Sequence, residues 1–164
     1  MPVTVMSSAG DYFAEIVEPT VHEFQTTPST FRTAFATATA LFHAHEWLWA
    51  HNRADLEAHY GQTFDTAGKF WSFVETQVPQ AGYMRDVANA SKHVKIDRRP
   101  STGMSHIANT HIQSTGYGMG TYGAGRYGGQ NLAMDDSGRT ISFDACVNDL
   151  IGFWRPLVQR LYPT

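Results

Sequence analysis

The chain has 164 residues, 42% apolar and 13% aromatic, with only 16% Asp, Glu, Lys and Arg, against about 25% in an ordinary globular domain. Eight histidines stand beside twelve Lys plus Arg, and the net charge is −3. This excludes a generally cationic nucleic-acid surface and leaves room for a local basic patch. A single cysteine, Cys146, excludes an intramolecular disulfide framework and a cysteine-rich zinc module. A chain of this length buries about 70% of its unfolded surface, so one domain folds without disulfide or metal support. The opening residues show no basic region followed by an apolar run, and no stretch reaches about 18 apolar residues. The expectation is a soluble, cytoplasmic domain with no membrane contact and no cofactor.

Ser8 or Asp11 is placed to cap a first helix running to about Gln25, with Phe13, Ile16, Val17 and Phe24 apolar. Pro19 should kink or split it. After Thr26-Thr27-Pro28, Ser29 is the expected cap of a long second helix that Gly61 ends. At 100° per residue, Phe31, Phe35, Ala38, Phe42, His45, Trp49, Leu56 and Tyr60 fall within about 80° of arc and predict its core stripe. Asp65 is expected to cap a third helix carrying Phe70, Phe73, Val74 and Val78, ending before Pro79. A fourth runs from about Ala81 to Lys95, with Tyr83, Val87, Ala90 and Val94 on one face.

From Arg98 the character changes. Residues 99–103 read as a linker and Ile107 to Ser114 as a strand. Asn131 to Met134 and Arg139 to Phe143 read as two more, around the turn Asp135-Asp136-Ser137-Gly138. Asp144 is the expected cap of a last helix that Pro156 bends. The order predicts a single, mainly α domain over 1–164. It is a bundle of about five helices, four within 8–97 and one over 144–162. An antiparallel β-hairpin or small sheet is inserted over 103–143, between the fourth and last helices.

The run Phe42-His43-Ala44-His45-Glu46 invites a metal reading that helical geometry weakens. His43 and His51 lie on the face opposite His45, so three imidazoles of this helix cannot meet at one ion. Neither His-Glu-x-x-His nor Glu-x-x-His occurs in the chain. His43 and Glu46 do form an i, i+3 pair. His45 sits mid-stripe among aromatics, and three readings stay open: a buried histidine held by a hydrogen bond, a site histidine tuned by burial, or a metal ligand in a site assembled from different helices, for example His45 or His59 with His93. Trp47 and Trp49 suit core or interface packing.

The densest constellation is Met84-Arg85-Asp86-Val87-Ala88-Asn89-Ala90-Ser91-Lys92-His93. With Val87 and Val94 inward, Arg85, Asn89, Lys92 and His93 share the other side within about 100°. Lys95, Arg98 and Arg99 extend the charge, so five of the twelve basic residues fall within fifteen positions. A strip offering a cation, an amide and an imidazole can hold a phosphate and move a proton. The alternative is a solvated face on which His93 pairs with Asp97.

Arg85, Asn89 and the Lys92-His93 pair on a late helix of a small bundle resemble the HEPN superfamily, in which Arg, four to six residues and His mark an RNA-cleaving or related site. Asp86 supplies the polar residue that usually follows the Arg. Seven residues separate Arg85 from His93, one beyond that range, which turns His93 by about 100° relative to the six-residue spacing. The resemblance implies metal-independent RNA cleavage or a toxin-antitoxin or defence role, with a site assembled across a homodimer. Its catalytic residues would be Arg85, Asn89 and His93. The Asn89-to-His93 run and the Phe153-Trp154 helix also resemble an uncharacterised bacterial or phage family to which no activity attaches.

Between Gly116 and Gly129 lie seven of the fourteen glycines, with Tyr117, Tyr122, Arg126 and Tyr127 among them. No helix follows as a dinucleotide turn requires, and no Gly-Lys-Ser/Thr ends the segment. It reads either as a flexible connection or as a recognition loop on which bases or a partner's side chains stack. Two function classes follow. One is an RNA-processing enzyme with RNA or another anion as ligand. The other is a non-enzymatic helical interaction module working through this loop and exposed tryptophans.

Overall fold

The computed structural model describes residues 5–27, 30–93, 100, 102–114 and 130–163. Helix α1 occupies residues 9–26, α2 Phe31–Tyr60, α3 Ala67–Gln77, α4 Ala81–His93 and α5 Phe143–Leu161. Between α4 and α5 lies an antiparallel sheet of β1 (Thr110–Ser114), β2 (Gln130–Asp136) and β3 (Arg139–Ser142), in that order. The expected helical bundle with an inserted small sheet is the architecture observed.

Helix α1 absorbs its proline without breaking. The α turn Ala9–Tyr12 passes into a π segment, Phe13–Val17, and returns to α geometry at Glu18–Thr26. Pro19 lacks an N–H and cannot close the turn before it, and the widened turn just ahead accommodates that loss. Phe13, Val17, Val21 and Phe24 are buried, whereas Ile16, expected among the apolar positions, is exposed.

Helix α2 is the centre of the molecule and touches every other helix. Thr30 caps it, with its hydroxyl accepting from Thr33 N–H and the Thr33 hydroxyl accepting from Thr30 N–H. Ser29, the expected cap, lies outside the described residues. Gly61 ends the helix at φ +67°, a left-handed position that glycine takes without a Cβ clash. The expected aromatic stripe is displaced. The deepest positions are Ala34, Thr37, Ala38, Leu41, Ala44, His45, Leu48 and Leu56, while Phe35, Phe42, Trp49 and Tyr60 are partly buried at its margins and Phe31 is exposed. A helix surrounded on several sides needs small residues where its neighbours approach, and the rings fill the space between helices. Thr37 survives burial by donating to Thr33 C=O at 2.8 Å. Trp154 and Tyr12 donate to the carbonyls of Leu41 and Ala40, both at 3.2 Å.

Two further caps differ from expectation. Thr66, not Asp65, accepts from Lys69 N–H and caps α3, while Asp65 pairs with the Lys69 ammonium. Ser142, not Asp144, accepts from Ala145 N–H and caps α5. The expected strand from Ile107 begins later: Ile107–Asn109 form a 3-10 turn capped by His106, and β1 starts at Thr110. Strand β2 is longer than expected and β3 ends one residue early, at Ser142, leaving a two-residue turn with Ser137 at φ +51° and Gly138 at φ +85°, the geometry that matches strand twist.

Buried hydrogen bonds fasten the sheet and the strap before it to α4. Tyr83 O–H donates to Asp136 Oδ2 at 2.5 Å. The fully buried Asp86 accepts from Thr102 N–H and Oγ1–H, both at 2.8 Å. A Cβ on Gly103 would sit 1.9 Å from Asp136 Oδ1, so only glycine passes that point without displacing the carboxylate. Among the described residues no helix is long and apolar enough to cross a membrane.

Candidate functional site

Helix α4 has two faces of opposite character. Ala81, Gly82, Tyr83, Met84, Asp86, Val87, Ala88 and Ala90 are buried. Arg85 and Asn89 are half-buried, and Ser91, Lys92 and His93 are exposed. Lys92 and His93 occupy the last turn, where the helix dipole favours positive charge. Val94, Lys95, Asp97, Arg98 and Arg99 lie outside the described residues, as do Tyr117, Tyr122, Arg126 and Tyr127.

Arg85 is held between two carboxylates. Its Nη1 lies 3.5 Å from Glu75 Oε1 on α3, and its Nε lies 3.5 Å from Asp86 Oδ1. Glu75 Oε1 also accepts from Trp71 Nε1–H at 2.7 Å, and the Trp71 ring packs against His45 and Phe42 with centroids 5.0 Å and 4.9 Å away. Two residues singled out on separate helices, His45 and Arg85, are therefore joined through Trp71 and Glu75. Sequence reasoning passed over both connectors. The available signal was that Glu75 is the only carboxylate of α3 and stands at i+4 from Trp71.

His45 is 3% exposed. Its Nδ1–H donates to Phe42 C=O at 2.5 Å. Burial pushes its pKa below the usual histidine range, while the Phe42 carbonyl and the fields of Glu46 and Glu75 oppose that shift. Burial therefore favours the neutral imidazole. This matches the first reading of His45, a buried histidine held by a hydrogen bond.

The other histidines disperse. His43 pairs with Glu46 at 3.0 Å, His51 stacks on Trp47, and His59 contacts Arg160. His111 lies 3.5 Å from Asp135 across the sheet. Among the described residues no group of three or more His, Cys, Asp or Glu is placed to hold a metal ion. His45, His59 and His93, suggested to meet at a metal, are not part of any such group. Trp47 and Trp49, expected in core or interface packing, are partly buried against the core. Trp47 stacks on Tyr12 at 4.9 Å and Trp49 donates to Phe64 C=O. Cys146 is buried, with its thiol pushed up to about 12 by desolvation, which leaves it without thiolate reactivity.

Chemically, the α4 strip offers a guanidinium fixed in orientation by Glu75 and Asp86, an amide one turn along, and an exposed ammonium and imidazole beyond it. Eight residue steps of helix separate the Arg85 and His93 Cα atoms by about 12 Å. Comparison with protein-family models, with curated proteins and with solved structures returns no match to this chain.

Proposed function

We propose that the open strip of α4 is an RNA-contacting face and that the chain is a HEPN-like, metal-independent RNA-processing protein. The observation that carries this reading is the division of α4. Every residue from Ala81 to Ala90 is buried except Arg85 and Asn89, and these continue into exposed Lys92 and His93. In the reaction the His93 imidazole takes the ribose 2′-hydroxyl proton, and the 2′-oxygen attacks phosphorus to form a 2′,3′-cyclic phosphate. The departing 5′-oxygen receives a proton. Arg85, held by Glu75 and Asp86, stabilises the negative charge of the phosphorane, and Asn89 orients the phosphate. Pairing two copies about a two-fold axis closes the gap between one copy's Arg85 and the other's His93. The test is incubation of purified protein with single-stranded RNA in EDTA. Cleavage is expected, and His93→Ala abolishes it with an unchanged thermal melt, because the side chain is exposed. Cleavage that survives His93→Ala removes the assignment.

A second reading, a non-enzymatic interaction module, is favoured by one observation: both carboxylates beside Arg85 offset its charge. Its surface would be the Gly/Tyr segment 115–129, which lies outside the described residues but whose flanking residues Ser114 and Gln130 are paired in the β1–β2 ladder. This reading predicts no turnover, and lost association when residues 116–129 are replaced by a short linker.

A further inference from the structure

A groove of about 430 Å³ lies between the end of α2 and the middle of α5, within the volume range of small-molecule sites. Its floor is apolar, made by Tyr60, Phe153 and Leu157, and none of its lining residues carries a carboxylate. Three directional groups border that floor. Pro156 has no N–H, so the carbonyl of Gly152, four residues earlier, lacks the donor that would complete its helical hydrogen bond. The Tyr60 hydroxyl makes no hydrogen bond to any described residue, although the ring is half-buried between Phe64 and Phe73. The Arg160 guanidinium stands at the rim, where it donates to His59 Nδ1 at 2.5 Å. A guanidinium offers donors only, so Arg160 is the donor in that contact. Burial raises the Tyr60 pKa and the charge of Arg160 opposes the rise, so the guanidinium field reaches the hydroxyl. Gly152 keeps the groove open, with no atom within 4 Å of where its Cβ would lie.

We infer that this groove binds a small aromatic carboxylate bearing one ring N–H. The carboxylate accepts from Arg160 and from the Tyr60 hydroxyl, the ring lies over Phe153 and Leu157, and the N–H meets the Gly152 carbonyl. The site is independent of the α4 strip, and neither reading needs the other. An apolar floor alone would take any hydrophobic side chain. The Arg160 cation, beside a tyrosine hydroxyl with no partner among the described residues and a carbonyl that has lost its proline-blocked helical donor, favours a charged, directional ligand instead.

The probe is indole-3-acetate, titrated into the full chain and followed through backbone amide shifts of residues 152–160. Saturable shifts are expected there, with indole-3-acetamide binding about tenfold more weakly for want of the charge-assisted contact. Arg160→Gln weakens indole-3-acetate by about the same factor. 1-Naphthylacetate, which lacks the N–H, also binds more weakly. Gly152→Leu fills the groove and abolishes the shifts while the circular dichroism spectrum is retained, since the position is open to solvent. Equal affinity for acid and amide, equal affinity for the indole and naphthyl acids, or shifts that persist in Gly152→Leu would each overturn the inference.

Discussion

His45 illustrates how one residue couples burial to pH. A neutral imidazole costs little in an apolar setting, whereas a charged one there is expensive. The unfolded chain takes up a proton near pH 6.5, but the folded form, with its pKa depressed, does so only at lower pH. Above about pH 6.5 His45 therefore adds no pH dependence. As pH falls from that value toward the folded pKa, the unfolded state binds more protons and stability is lost. The expected result is that wild-type melting temperature drops between pH 7 and pH 5 by more than that of His45→Phe, measured in the same buffers. An equal or larger drop in the variant would mean that His45 is not the group responsible. Glu75 works at the same scale: it receives the N–H of Trp71 on its own helix and faces Arg85 on the next, so one carboxylate ties α3 to α4.

Among elements, the helix starts show how a small chemical choice positions a whole rod. Each of α2, α3 and α5 begins with a hydroxyl accepting from the backbone N–H three residues on. Thr66→Ala should lower stability by about 1 kcal/mol, read from a urea melt, while Asp65→Ala leaves the midpoint nearly unchanged because its pair with Lys69 is solvent-exposed. The reverse order would restore Asp65 as the cap. The neighbouring residues Asp65 and Thr66, or Asp144 and Ser142, carry equivalent capping chemistry, and the choice between them is made by packing that no local pattern encodes. The same limit explains the displaced stripe of α2. Its length and its end at Gly61 were legible, because periodicity and a left-handed glycine are local signals. Its buried face was not, because Ala34, Thr37 and Ala44 become core only when other helices close around them. Likewise the α4 strip was legible from the spacing of Arg85, Asn89, Lys92 and His93. The carboxylates that hold Arg85 were not, since Glu75 belongs to another helix and the burial of Asp86 depends on Thr102, sixteen residues on.

For the molecule as a whole, the first and last helices form a seam. Arg155 donates to both carboxylate oxygens of Glu18, each at 2.8 Å. The Tyr162 ring lies so close to Gly10 that a Cβ there would fall 2.9 Å from it. Tyr162 O–H also donates to Asn52 Oδ1 at 2.6 Å, where α2 departs from helical geometry at φ −131°. One side chain thus ties the first helix, the kink of the central helix and the end of the last helix.

That seam, together with the pairing of Ser114 with Gln130, predicts that the order of the elements along the chain can be changed without losing the fold. Joining residue 163 to residue 5 through a short flexible linker, and opening the chain by deleting 115–129, gives a circular permutant that starts at Gln130 and ends at Ser114. Rearrangements of this kind succeed where the ends lie close and the new break falls at a loop tip. The expected permutant is monodisperse, with helical circular dichroism matching the parent and a cooperative melt. An unfolded product would show that the linear order, and not only the seam, is needed to bring α1 onto α5.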